Sequence, residues 1–251
     1  MVGERARSIR AVLFDKDGTL VDFHRTWSAI ARRLALEAAD EDAHEAERLL
    51  ERAGYDTATA SFRADSVFAA GTNAEVVALW HPHLGTDGRR ALTARFNMIT
   101  AVEGAEMAVA VEGVPEALAA LKKRGLKLGV ATNDSTGGAE RTVRALGIAS
   151  LFDATYGYDA VASPKPAPDV VLAFADAMGL RPSEIAMVGD NGHDMACARA
   201  AGAGLAVAVL SGTGTRETLS PLAHVVLDSV ADLPGWMAGN VEPSPRPLAS
   251  G

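Results

Sequence analysis

The sequence contains little that would tie it to an oxidising compartment, a membrane or a nucleic acid. Its 251 residues include one cysteine, Cys197, so no disulfide can form within the chain. Basic residues are outnumbered, with 24 Lys and Arg against 32 Asp and Glu, and the net charge is −8. An acidic chain without a basic run is a poor partner for nucleic acids or anionic membranes.

Long apolar runs are also missing. No stretch is long enough to span a bilayer, and the apolar run before Asp15 is too short for a signal peptide. We therefore expect a cytoplasmic protein, monomeric or homodimeric, that binds neither membrane nor nucleic acid. An anionic ligand would need local positive charge or a metal ion.

What is present is a pattern of apolar strands that alternate with amphipathic helices. Hydrophobic residues make up 48% of the chain, enough for a sizeable core. Such alternation is typical of a parallel sheet covered by helices on both faces. Strands are predicted at 9–15, 126–134, 152–158, 184–190, 204–212 and 224–230. Helices are predicted between them at 114–125, 137–147, 167–179 and 192–202.

The alternation is interrupted after the first strand. Residues 26–50, 73–81 and 87–103 have helical periodicity, and no convincing strand lies between them. We predict an α/β Rossmann-like core, residues 1–22 and 109–240, with an all-helical cap inserted at 23–108. The proline-rich tail, 241–251, is predicted to be disordered.

Polar residues follow several of the predicted strands. The first strand ends in Asp15 and Asp17, the second in "TND" at 132–134, and a later one in Asp190. Ligands of open α/β sheets bind outside the carboxyl ends of the strands. Lys165 precedes a proline, which keeps it in a loop before a helix. These distant residues are therefore predicted to converge.

Four motifs together resemble those of the haloacid dehalogenase superfamily. They are "DKDGTL", "ATND", "SPKPAPD" and "GDNGHD", in the order that the family has them. The resemblance implies a HAD-like core with a helical cap inserted after the first motif. It also implies a phosphomonoesterase that acts on a small phosphorylated metabolite, similar to phosphoglycolate phosphatases.

The resemblance implies roles for individual residues in phosphoryl transfer. Asp15 would be the nucleophile and would form an aspartyl-phosphate. Asp17 would act as general acid and then as general base. Thr132 and the backbone of Asn133 would hold the phosphoryl oxygens, and Lys165 would neutralise charge near the nucleophile.

The same resemblance implies a Mg²⁺ site, which would offset the repulsion between the paired carboxylates. Its ligands would be the Asp15 and Asp190 carboxylates and the Asp17 backbone carbonyl, because Mg²⁺ prefers oxygen ligands. Asp194 would orient the waters around the metal, although stabilisation of its own helix N-terminus is an alternative.

The remaining features admit more than one interpretation. His24 and Arg25 follow the first motif and either contact the substrate from the start of the cap or lie on the surface. Lys16 and Asp134 are predicted to face solvent. The stretch 211–217 is read as a plain connection from a strand to a helix.

Two other functions stay open from the sequence. One is a phosphosugar mutase of the β-phosphoglucomutase type, although such mutases commonly carry an apolar residue where Thr19 stands. The other is a phospho-accepting signalling module of the receiver type, which would need no inserted cap and which carries an acidic pair in a different pattern.

Overall fold

A computed structural model describes residues 2–240 of the chain. The predicted disordered tail, 241–251, lies outside the described residues. The strands are β1 Ala11–Phe14, β2 Tyr55–Asp56, β3 Ser61–Phe62, β4 Lys127–Ala131, β5 Ala154–Tyr156, β6 Ile185–Gly189, β7 Leu205–Val209 and β8 Val225–Leu227. The first half of the chain contributes the helices α1 Val2–Ser8, α2 Phe23–Ala38, α3 Ala43–Arg52, α4 Val67–Ala70, α5 Asn73–Trp80 and α6 Thr86–Glu106. The second half contributes α7 Val114–Lys123, α8 Thr136–Ala145, α9 Asp169–Met178, α10 Gly192–Ala201, α11 Arg216–Leu219 and α12 Leu233–Asn240.

Six strands form one parallel sheet in the order β5-β4-β1-β6-β7-β8. The chain fills one side of β1 with β4 and β5, then crosses to the other side for β6, β7 and β8. The carboxyl ends of β4, β1 and β6 therefore lie next to one another, where the order of the strands reverses. Such a reversal leaves a crevice that binds ligands. The predicted α/β Rossmann-like class is confirmed.

The central strands are buried on both faces because alternate side chains enter two separate cores. On β1, Val12 and Phe14 join a core beneath α7, α8 and α12. Ala11 and Leu13 point the other way, into a core beneath α9 and α10. A strand buried on both faces has a continuous apolar sequence, which explains why β1 could be recognised.

The segment between β1 and α7 packs around a third apolar core of its own. This core contains Trp27, Leu34, Leu49, Trp80 and Phe96, each buried. The periodicity at 26–50 corresponds to two helices, α2 and α3. The prediction of an all-helical segment is wrong in one detail, because β2 and β3 form a short antiparallel hairpin. Strands of two residues are too short to give a period-2 pattern.

Within residues 2–240, none of the helices has both the length and the hydropathy needed to cross a bilayer.

We expect Phe174→Ala to destabilise the protein by about 3–5 kcal/mol, because it empties a fully buried ring position in the core beneath α9. Leu172→Ala, two residues away on the same helix and 43% exposed, is the matched control. Its expected change is within about 0.5 kcal/mol. Urea unfolding measures both, and equal losses would contradict the assignment of Phe174 to the core.

Candidate active site

The site lies where β4, β1 and β6 end side by side. Asp15 directly follows β1, and its backbone N–H donates to the Val188 carbonyl of β6 at 2.8 Å. Thr132 directly follows β4, and Asp190 directly follows β6. The sheet therefore fixes the backbone position of each of these residues, and their side chains converge from these positions.

The ammonium group of Lys165 lies at the centre of the site. It donates to Asp15 Oδ1 at 2.5 Å, to Asp194 Oδ1 at 2.7 Å and to the Ala131 carbonyl at 2.9 Å. Lys165 and Asp15 are buried, and Asp194 has no exposed surface. Three acceptors use the three N–H bonds of the ammonium group, so its position is fully determined.

Asn133 holds the loop that carries Lys165. Its Oδ1 accepts from the Lys165 backbone N–H at 3.1 Å, and its Nδ2 donates to the Lys165 carbonyl at 2.9 Å. The same Nδ2 donates to the carbonyl of Ala70 in the inserted segment, also at 2.9 Å. The side chain of Asn133 thus joins the loop to the inserted segment, and its backbone N–H remains available for a ligand.

Three carboxylates form a group of the size that a metal ion needs. One oxygen each from Asp15, Asp190 and Asp194 lies within 4.8 Å of the others, and all three residues are buried. Asp17 is not part of this group, consistent with the prediction that it offers a backbone carbonyl. An all-oxygen set of buried carboxylates has the chemistry that Mg²⁺ prefers.

The electrostatics of the group show that its negative charge is incompletely balanced. Burial raises the pKa of Asp15 to about 7, with Lys165 opposing the shift and Asp194 adding to it. Burial likewise raises the pKa of Asp190 well above its ordinary value, and the neighbouring carboxylate of Asp15 adds to this shift. A divalent cation would favour the ionised forms of Asp15 and Asp190 and offset the repulsion between them. The residues present therefore fit the implied metal.

The loop after β7 also belongs to the site. The Thr213 backbone N–H donates to Asp190 Oδ2 at 2.8 Å, and Ser211 Oγ donates to the Gly18 carbonyl at 2.7 Å. A Cβ on Gly212 would lie 1.9 Å from Asp190 Oδ2, so only glycine fits there. The sequence reading of 211–217 as a plain connection missed this role. The alternation of glycine with serine and threonine at 211–215 was the available signal.

Lys16 and Asp134 correct the sequence prediction, because neither faces solvent. Lys16 is 1% exposed and contacts Asp17 Oδ2 at 2.7 Å and Asp134 Oδ2 at 3.3 Å. Its ammonium also lies 5.0 Å from the centre of the Trp27 ring. Burial lowers the pKa of Lys16, but the Asp17 and Asp134 carboxylates outweigh it and raise that pKa overall.

Asp17 has a second fixed partner in the indole of Trp27. Trp27 Nε1 donates to Asp17 Oδ1 at 2.6 Å, and Lys16 Nζ donates to the same oxygen at 2.8 Å. The side chain of Asp17, the predicted general acid, is therefore held by one cation and one indole. For Asp134, the other carboxylate beside Lys16, burial raises the pKa and Lys16 opposes the shift. Sequence reasoning missed Trp27, although its spacing of four residues from buried Phe23 indicated a shared helix face.

A cavity of about 60 Å³ lies between these residues and the inserted segment. Asp15, Asp17, Thr132, Asn133 and Lys165 line it from the sheet. The other lining residues are Phe23, Trp27, Phe68, Ala69, Ala70, Gly71, Thr72, Asn73, Val76, Thr100, Asp134 and Asn191.

His24 and Arg25 do not line this cavity. Arg25 is exposed, and the His24 ring packs edge-on against Phe23 with centroids 5.6 Å apart. Phe23 and Trp27 occupy the inward face of α2, which turns the two residues that follow Phe23 away from the cavity. The polar residues that do line it from the inserted segment are Thr72, Asn73 and Thr100.

The chain is similar in sequence to known proteins. The family model of haloacid dehalogenase-like hydrolases matches residues 9–202. The phosphoglycolate phosphatase of Escherichia coli (strain K12) is 32% identical over 199 residues, 77% of this chain and 79% of that enzyme. The phosphoglycolate phosphatase of Rhodospirillum rubrum is 38% identical over 121 residues, which span only 49% of that enzyme and 48% of this chain.

A solved structure shows the same fold. CbbY from Rhodobacter sphaeroides, crystallised in complex with phosphate, superposes with a TM-score of 0.62 at 25% sequence identity. The alignment covers 90% of this chain and 96% of that one. The architecture predicted from the motifs is thus the one found in the comparison.

We expect Lys16→Met to lower the free energy of unfolding by about 3–5 kcal/mol, because it removes a buried ammonium group and leaves the largely enclosed carboxylates of Asp17 and Asp134 without their cation. Lys127→Met is the matched control, since Lys127 pairs with Asp153 at a site where the lysine is 55% exposed. Its expected loss is at most about 1 kcal/mol. Urea unfolding compares the two variants, and similar losses would show that burial of the Lys16 pair is unimportant.

Proposed function

Because the chain belongs to the haloacid dehalogenase-like hydrolase family, we propose that it is a Mg²⁺-dependent phosphomonoester hydrolase acting on a small phosphorylated metabolite. The observation that carries the proposal is the contact of Lys165 with both Asp15 and Asp194 beside the cavity. A carboxylate held by a buried ammonium group, next to a metal-sized group of acids, suits attack on phosphorus.

In the first half of the reaction, an oxygen of Asp15 attacks the phosphorus atom. The bond between phosphorus and the ester oxygen breaks, and an aspartyl-phosphate forms on Asp15. The leaving alkoxide takes a proton from Asp17. The Thr132 hydroxyl and the Asn133 backbone N–H hold the phosphoryl oxygens, while Lys165 balances the charge near them.

In the second half, water attacks the phosphorus atom of the aspartyl-phosphate. Asp17, now a carboxylate, accepts a proton from this water, and Asp15 is released with inorganic phosphate. The contacts from Trp27 and Lys16 keep Asp17 at the wall of the cavity throughout. The inserted segment covers the site and limits the access of bulk water.

The metal would be held by Asp15 and Asp190, with the Asp17 backbone carbonyl and Asp194 beside it. When bound, Mg²⁺ would neutralise negative charge on the phosphoryl group and the carboxylates. The Thr213 backbone N–H and the Gly212 position keep the Asp190 carboxylate in place for this role.

The test is the release of inorganic phosphate from an aryl phosphate with and without Mg²⁺. We expect repeated turnover that depends on the metal. A receiver-like module would instead take up at most one phosphoryl group per chain, and a mutase would return the phosphoryl group to a sugar phosphate. Either result would replace the proposed hydrolase.

We expect Asp15→Asn to abolish turnover while the protein stays folded, since an amide is nearly isosteric but a poor nucleophile. Steady-state phosphate release measures activity, and circular dichroism checks the fold. Asp228→Asn, at an 85% exposed carboxylate far along the chain, is the control and should retain full activity. Substantial activity in folded Asp15→Asn would exclude Asp15 as the nucleophile.

We expect Asp17→Asn to slow alkyl phosphates more than a nitrophenyl phosphate, because only the alkoxide needs a proton to leave. Loss of general acid catalysis costs roughly a hundredfold to ten-thousandfold. The variant should also accumulate phosphoenzyme with the nitrophenyl ester, because its second half-reaction lacks a base. Steady-state rates and intact-mass spectrometry measure the two effects. A uniform rate loss without phosphoenzyme would leave Asp17 a structural role only.

A further inference from the structure

We propose that the substrate is the phosphate ester of a small, uncharged, hydroxyl-bearing alcohol, and that esters of hydroxy acids are discriminated against. The inference rests on the proposed phosphomonoesterase activity and concerns the end of the cavity that faces the inserted segment. We call this end the cap end; its residues are Phe23, Trp27, Phe68, Thr72, Asn73, Val76 and Thr100.

The cap end has no cation for a second anionic group. Among residues 2–240, Lys165 is the one positively charged side chain in the cavity lining, and Asp15 and Asp194 already engage it. The lining carries three carboxylates, those of Asp15, Asp17 and Asp134. A phosphoryl group can share Lys165 and the metal, whereas a carboxylate at the cap end would meet neither.

The basic side chains close to the cavity either have other partners or face away from it. Lys16 lies against Asp17 and Asp134. His193 contacts the Ala70 carbonyl through Nδ1 at 3.1 Å and is not in the lining. Arg25, the predicted substrate contact, is exposed on the outer side of α2.

The hydrogen-bonding groups of the cap end favour a hydroxyl donor. Asn73 Nδ2 uses both protons, one to Asn97 Oδ1 at 2.9 Å and one to Thr100 Oγ1 at 3.0 Å. Asn97 in turn donates to the Tyr158 hydroxyl at 2.7 Å, which fixes its amide. Asn73 Oδ1 has no partner within the described part of the chain. It can accept from a substrate hydroxyl, whereas it would repel a carboxylate oxygen.

The first turn of α5 carries a negative charge of its own, the carboxylate of Glu75. The Glu75 carboxylate accepts from the Thr72 backbone N–H at 2.7 Å and from the Thr72 hydroxyl at 3.0 Å. This capping box adds a negative charge beside the cap end. A substrate carboxylate placed there would meet this like charge, which opposes the attraction of the helix dipole.

The remaining walls set the size and character of the alcohol. Phe23, Trp27, Phe68 and Val76 give an apolar surface for a short carbon chain. The cavity of about 60 Å³ has room for only a handful of water-sized groups, and the phosphoryl group takes much of it. The alcohol is therefore small, with carbon against the aromatic rings and a hydroxyl at Asn73.

The experiment compares two esters that differ only at the far end of the alcohol. 2-Hydroxyethyl phosphate ends in a hydroxyl and 2-phosphoglycolate ends in a carboxylate, and a nitrophenyl phosphate reports on the common chemistry. Each is given to the full chain with Mg²⁺, and kcat/KM is measured. We expect at least about tenfold higher kcat/KM for 2-hydroxyethyl phosphate, because leaving a buried charged group unpaired is costly.

A charge placed at the cap end should change this preference. Asn73→Lys is expected to shift the ratio of the two kcat/KM values towards 2-phosphoglycolate by at least about tenfold, since the new ammonium can pair with the carboxylate. Ala74→Lys is the matched control. It adds the same charge one residue along α5, at an exposed position outside the lining, and should shift the ratio less than about threefold.

The outcomes separate this inference from the proposed function. A ratio below tenfold in the unmodified protein, or a preference for 2-phosphoglycolate, overturns the inference and leaves the phosphomonoesterase intact. Hydrolysis of nitrophenyl phosphate alone also overturns it. Hydrolysis of none of the three esters overturns the proposed function itself. If Asn73→Lys fails to fold, the ratio of the two kcat/KM values in the unmodified protein still decides whether the inference holds.

Discussion

The ammonium group of Lys165 is the contact on which the site depends. It comes from the loop before α9 and joins the end of β1 through Asp15, the end of β4 through the Ala131 carbonyl, and α10 through Asp194. A buried charge of this kind is tolerated only when its hydrogen bonds are complete. Completing them requires the ends of β1 and β4 and the first turn of α10 to meet at one point, so one cation enforces the alignment on which the proposed reaction depends.

The same arrangement leaves the site with more carboxylates than cations. Lys165 cannot balance Asp15, Asp190 and Asp194 together, and burial raises the pKa of Asp15 and of Asp190. In stability terms this is a cost, because ionising these groups in the folded state is unfavourable. For function, the same excess of carboxylates means that the site attracts an additional positive charge. This excess of buried acids is what the proposed Mg²⁺ would offset.

The strands and their polar ends could be predicted because both are local properties of the sequence. Apolar runs such as 11–14 give β1, and the residue after each run must lie at the carboxyl edge of the sheet. Which way a side chain turns was not predictable in the same way. Lys16 appeared exposed from its residue type, yet the Asp17 and Asp134 carboxylates and the Trp27 ring enclose it. Asp17 is its neighbour in sequence, but Trp27 lies in α2 and Asp134 follows β4, so no local pattern shows that the three surround Lys16.

In the inserted segment too, the direction of the side chains could not be predicted from the sequence, and this decides which residues line the cavity. Adjacency to the first motif made His24 and Arg25 candidates for contact with the substrate, but the helical geometry of α2 places Trp27 in the cavity lining instead. Two amides connect the segment to the core beside the cavity, that of Asn133 with the Ala70 carbonyl and that of Asn97 with the Tyr158 hydroxyl. The Asp65 carboxylate of the segment also accepts from the Gly192 backbone N–H at 2.6 Å, but it lies outside the cavity lining. These contacts hold the segment without placing a charge of the segment in the cavity. The proposed selection against carboxylates follows from this absence of cations at the cap end, since a charge there is screened less than in bulk water.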